Sequence, residues 1–144
     1  MNWKEEAKKE LLQRDKLLAA IGNIKERLVS IQERKTAIRS LSDSTPVQGG
    51  GNRYEDRLLD LIVEEERLKH TLKATRIRLN LIERGLAVLT DTERTVALEF
   101  ASNRPGIAIE LLRDKTGYEQ AQLYRIWDAA LYSFTIAEYG ISEF

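Results

Sequence analysis

Between Leu58 and Leu89 an apolar residue recurs in alternating steps of three and four. Leu58, Leu61, Leu68, Leu72, Leu79, Ile82, Leu86 and Leu89 carry the ladder, with Glu65 and Thr75 on the remaining rungs. This spacing draws one stripe along an α-helix and none along a strand. Held for more than four heptads, it predicts a helix that must lay its stripe against another helix. The matching ladder lies upstream: Ala7, Glu10, Arg14, Leu17, Ile21, Ile24, Leu28, Ile31, Lys35 and Ile38. It is weak at its ends and strong in its middle.

The two ladders mirror each other, because counterpart numbers add to 96 throughout. Ile38 is thereby set opposite Leu58, Leu28 opposite Leu68, Ile24 opposite Leu72, and Leu17 opposite Leu79. An antiparallel hairpin has this register. Its turn is predicted at residues 42–52, where Ser, Asp, Thr, Pro and three consecutive glycines interrupt two runs otherwise free of proline. The register sets Ile31 beside Glu65 and Lys35 beside Leu61. A buried charge without a partner is costly, so these polar groups must snorkel or find one another.

A second apolar stripe flanks the seam: Leu11, Leu18 and Val29 on the first run, and Leu59, Ile62, Ile77, Leu81 and Val88 on the second. Two helices cannot cover both stripes, so the extra one is expected to pack on the rest of the chain or on a second copy. A homodimer follows as an expectation, with a four-helix bundle as one form of it. Lys4, Lys8, Lys9, Lys69, Lys73, Arg76 and Arg78 alternate with carboxylates, which reads as a solvated face before it reads as a nucleic-acid surface.

Beyond Leu89 the chain changes character. Residues 1–89 hold 18 Lys/Arg against 14 Asp/Glu, whereas residues 90–144 hold 5 against 9, and eight of the ten aromatics lie at or after Phe100. Thr90 and Glu93 fit a capping box that opens a helix from about Asp91 to Ala101, with Val96, Ala97 and Phe100 as its apolar face. Residues 102–106, with Pro105 and Gly106, break it. A second short helix is predicted from about Ile107 to Lys115, with Ile107, Ile109, Leu111 and Leu112 as its core. Gly117 ends it. A third begins near Glu119 and repeats apolar residues through Leu123, Ile126, Trp127, Ala130, Leu131, Phe134 and Ala137. The aromatic tail, residues 139–144, is expected to fold back on the helices. The predicted class is all-α: a long antiparallel helical hairpin (coiled coil) over residues 1–89, then a three-helix, helix-turn-helix-like head over 90–144.

Residues 117–134, GYEQAQLYRIWDAALYSF, carry a more specific signal. Gly117, Tyr118, Gln122, Leu123, Tyr124, Arg125, Ile126, Ala130 and Leu131 resemble the turn and recognition helix of phage and prophage regulators related to sigma-70 region 4, of the ArpU and RinA late-transcription kind. A charged heptad hairpin broken by a Ser/Gly-rich loop, and a helix like residues 87–101 before the helix-turn-helix, resemble the wider layout of such proteins. The resemblance implies a transcriptional regulator that binds DNA through its head and oligomerises through its coiled coil. The contacts it implies are Gln120, Gln122, Tyr124 and Arg125, whose Gln and Arg side chains suit base edges, with Arg113 and Lys115 positioning the phosphate backbone. Glu119 departs from the family by standing where a small N-cap is usual, and its carboxylate would repel a phosphate. The acidic head leaves an alternative: a protein-interaction module that contacts RNA polymerase or another regulator without binding DNA.

Other classes find little in these residues. The single histidine, His70, lies off the seam without a partner for catalysis, and Gly49-Gly50-Gly51 lacks the Lys of a phosphate loop. Glu64-Glu65-Glu66 points in successive directions around a helix and forms no catalytic pair. No nucleophile-base arrangement, metal-ligand set or cofactor motif is present, so no enzyme, metal or cofactor is expected. There is no cysteine and no run of membrane-spanning length, so a cytoplasmic setting without a membrane is expected.

Overall fold

The computed structural model describes residues 2–44 and 51–140 and, among them, is all-helical. Five helices follow one another: α1 (Trp3–Ser44), α2 (Gly51–Ala87), α3 (Asp91–Ser102), α4 (Pro105–Thr116) and α5 (Gln120–Tyr139). Of the expected turn at 42–52, residues 42–44 and 51–52 belong to the helices, and residues 45–50 lie outside those described. Residues 141–144, most of the expected aromatic tail, also lie outside them. The chain packs as two compact units, one of Leu17–Ile77 and the other of Met1–Lys16 with Arg78–Phe144.

In the unit Leu17–Ile77 the core is Ile24, Ile31, Leu68 and Leu72, with Ile21, Leu28 and Leu61 half-buried against it. Every one is a rung of the two ladders. Two polar rungs of this unit are buried as well, Lys35 at 8% and Glu65 at 5% exposure, and they pair with each other at 3.4 Å; Thr75 is half-buried. Gln32 donates to the same carboxylate, and Lys69 reaches it from one turn along α2 at 3.4 Å. Burial alone would raise the Glu65 pKa. The hydrogen bond and charge of Lys35, aided by Lys69, outweigh burial and hold it below the ordinary carboxylate value. Leu18, Val29, Leu59, Val63 and Ile77 remain exposed.

The second unit gathers the start of α1, the end of α2 and the three short helices. Its largest fully buried side chains are Phe134, Ile82, Leu112, Leu123, Leu131 and Val96. Ala7 and Leu11 of α1 are buried here, so Leu11 of the second stripe is covered within this unit. Trp3 meets Tyr132 edge-on at 5.9 Å between ring centroids, and Lys4 pairs with Asp128 at 3.2 Å. Gly85 lets Phe134 press on α2: a Cβ there would lie 2.6 Å from two ring carbons.

Local chemistry sets the ends of the short helices. Thr90 and Glu93 form both bonds of the capping box, and Arg94 lies 3.4–3.5 Å from the carbonyls of Leu86, which also accepts the Leu89 N–H, and of Leu89, where α2 stops. α4 starts two residues earlier than expected, at Pro105. Proline suits the first helical turn, where its missing N–H removes nothing. The residues that face inward also differ from the expectation. Ala108 and Leu112 are fully buried, whereas Ile107 and Leu111, expected in the core, are 50% and 39% exposed. The small Ala108 permits the close approach that a larger residue would prevent.

Candidate nucleic-acid interface

α4, a three-residue turn and α5 form the candidate site. Gly117 takes the left-handed conformation, φ 76°, and its N–H donates to the Arg113 carbonyl at 2.8 Å, ending α4 as a glycine at this position does. Thr116 braces the turn: its hydroxyl donates to the Leu112 carbonyl at 2.6 Å and accepts the Tyr118 N–H at 3.2 Å. Glu119 is the N-cap of α5, yet its side chain makes no capping bond. The carboxylate is drawn instead to Arg113, 2.5 Å away.

α5 is anchored by Leu123, Trp127, Ala130, Leu131 and Phe134, all buried. That spacing leaves Gln122 and Arg125 exposed on the outer face of its first turns, while Gln120 lies in line with Leu123 and Trp127 and is exposed because it opens the helix. None of the three makes a side-chain hydrogen bond or ion pair among the described residues. Tyr124 sits differently. Its ring lies 5.4 Å from Phe100 at 33°, and Phe100 stacks on Trp127 at 5.4 Å and 22°. A groove of about 210 Å³ opens beside this aromatic row, lined also by Lys8, Leu12, Ala101 and Pro105. Tyr124 is therefore shared between packing and the outer face.

The two cations expected to hold phosphates are already matched. Arg113 pairs with Glu119, and Lys115 pairs with Glu99 of α3 at 2.6 Å. Arg94 is occupied by the end of α2 and by Asp91 at 3.5 Å. Arg104 and Arg125 make no ion pair among the described residues and are exposed. Sequence reasoning placed Ile107 and Leu111 in the core, whereas both are exposed, as is Tyr118. Four apolar candidates in one short helix left its inward phase open, and no local signal fixed it.

Among the described residues no group of three or more His, Cys, Asp or Glu side chains could hold a metal ion, and no helix is long and apolar enough to cross a membrane. No family model, no curated protein and no solved structure matches the chain.

Proposed function

We propose that the chain is a transcriptional regulator of the phage type, in which α4 and α5 act as a helix-turn-helix and α1 and α2 form an antiparallel coiled-coil hairpin that pairs two copies. The observation that carries the reading is the exposed pair Gln122 and Arg125, unengaged on the first turns of a helix whose opposite face is buried, with Gln120 exposed at the helix start. Recognition helices present base-reading side chains at this end. The resemblance of residues 117–131 to sigma-70 region 4-like regulators points the same way. The exposed Leu18, Val29, Leu59, Val63 and Ile77 supply an apolar stripe for a second copy.

The test is a mobility-shift titration across salt concentrations against genomic fragments of the host that carries the gene. Retarded bands should appear at low salt and fade steeply as salt rises. Arg125→Ala or Gln122→Ala should weaken the preferred fragment by about 1–3 kcal/mol each while leaving nonspecific binding nearly intact. An absence of any shift at low salt would leave the regulator proposal without its central activity.

A second reading has an observation of its own. With Arg113 and Lys115 neutralised internally and Ile107, Leu111 and Tyr118 exposed, the head suits a protein partner such as RNA polymerase. Polymerase capture that survives Arg125→Ala, with no DNA shift, would favour it.

A further inference from the structure

Glu10 lies early in α1, and Glu138 lies in the last turn of α5. The Glu10 side chain is 6% exposed. Arg78 of α2 approaches its Oε1 at 3.5 Å, and the Tyr139 hydroxyl donates to the same oxygen. Glu10 Oε2 is buried with no hydrogen-bond partner, and both carboxyl oxygens of Glu138 are in the same condition. Three buried acceptors thus stand without a donor. Unpaired buried acceptors are destabilising, and two ionised carboxylates cannot share such a site. One proton relieves both problems: a protonated Glu138 would donate to Glu10 Oε2, engaging two of the three oxygens and leaving one carboxylate for Arg78 and Tyr139.

We propose that Glu10 and Glu138 share a single proton that latches the end of α5 onto α1, so that raising the pH loosens the last turn of α5. The groups facing the pair are Arg78 from α2 and Tyr139 from α5. Arg14, one turn further along α1, is taken by Glu83 at 2.7 Å and by Asp15 at 3.7 Å. Burial first, and then the Glu10 carboxyl, push the Glu138 pKa up to about 8, against the pull of Arg78. A divalent cation is a poorer fit than a proton, because calcium takes about six to eight oxygens and magnesium about six. Two carboxyl groups offer fewer.

The sign follows from proton counting. The folded pKa lies above the ordinary value of 4.5. Between these values the closed latch holds a proton that the open chain releases. The contribution of this proton is therefore fully present at and below about pH 4.5, weakens as the pH rises towards 8, and changes no further above it.

Carboxyl-carbon NMR titration of the full chain, with amide hydrogen exchange in the last turn of α5, tests the proposal. One carboxyl of the pair should titrate near 8. Exchange protection, corrected for the intrinsic pH effect, should fall by up to about tenfold per pH unit between about pH 5 and 8 and then level off. Glu138→Gln keeps a donor in place and should flatten that dependence. Glu10→Gln should return Glu138 towards the ordinary range, since the amide donates to an ionised Glu138. Titration of both carboxyls near 4–5, or a Glu138 midpoint still near 8 in Glu10→Gln, would overturn the shared proton. So would protection restored by millimolar calcium at high pH, which would put a metal in its place.

Discussion

Gly85 shows how one missing side chain fixes a packing arrangement. It lies in the last turn of α2, where an alanine would ordinarily favour the helix by about 1 kcal/mol. Here a Cβ would sit 2.6 Å from two ring carbons of Phe134, and Phe134 is fully buried, so the ring has no free space to take. Gly85→Ala should lower stability by about 1–3 kcal/mol in urea denaturation, as overpacking does. Gly85→Ala combined with Phe134→Leu should recover part of that loss. A variant as stable as the parent would show that the ring moves aside freely. Nothing in the sequence marks this glycine as a contact, because its partner is distant in the chain. Thr90, Glu93 and Gly117 were legible for the opposite reason: their partners lie within four residues. The Glu10 cluster was not, since Tyr139 and Glu10 are 129 positions apart.

At the scale of elements, the seam was the most legible feature. The rungs Ile24, Ile31, Leu68 and Leu72 form the core of one unit, and the rungs Leu79, Ile82, Leu86 and Leu89 are buried as well, because a stripe of branched apolar side chains has no better place than against its like. The polar rungs needed the structure, which gives Lys35 to Glu65. This pair makes a pH-dependent contribution. The Glu65 pKa is held below its ordinary value, so the folded state gains from the ionised form. That gain is present above the unfolded value of 4.5 and is lost as the pH falls through the lower folded value. Glu65→Gln, which leaves Lys35 buried beside a neutral amide, should melt several degrees lower than the parent at pH 7. The gap should narrow on acidification to about pH 3, where the parent loses its own ion pair. Thermal melts followed by circular dichroism at both values check this; a constant gap would rule out the ion pair as its source. α4 was read less well. A helix of 12 residues with four apolar candidates admits more than one inward phase, and tertiary packing around Ala108 and Leu112 chose between them.

At the scale of the whole molecule, charge decides between the two readings of the head. Residues 90–144 carry nine carboxylates against five cations, and affinity for a duplex rests largely on phosphate neutralisation. Three of those cations, Arg94, Arg113 and Lys115, are paired with neighbouring carboxylates, and one of the carboxylates, Glu119, stands at the N-cap position of the helix that would face the duplex. The Arg113–Glu119 pair is exposed on both sides, and exposed pairs are weak. Removing it changes charge more than stability. Glu119→Gln deletes a negative charge at the start of α5 and frees the Arg113 guanidinium. If the head binds DNA, the variant should bind several-fold more tightly at low salt, with a log–log salt slope steeper by about 1. Its stability should drop by no more than about 1 kcal/mol from the lost interaction with the helix dipole. If the head serves a protein partner, the same substitution leaves duplex affinity at the background level in every salt concentration. A binder strengthened by one fewer carboxylate and a non-binder indifferent to it give different curves, so a single variant titrated across salt separates the two.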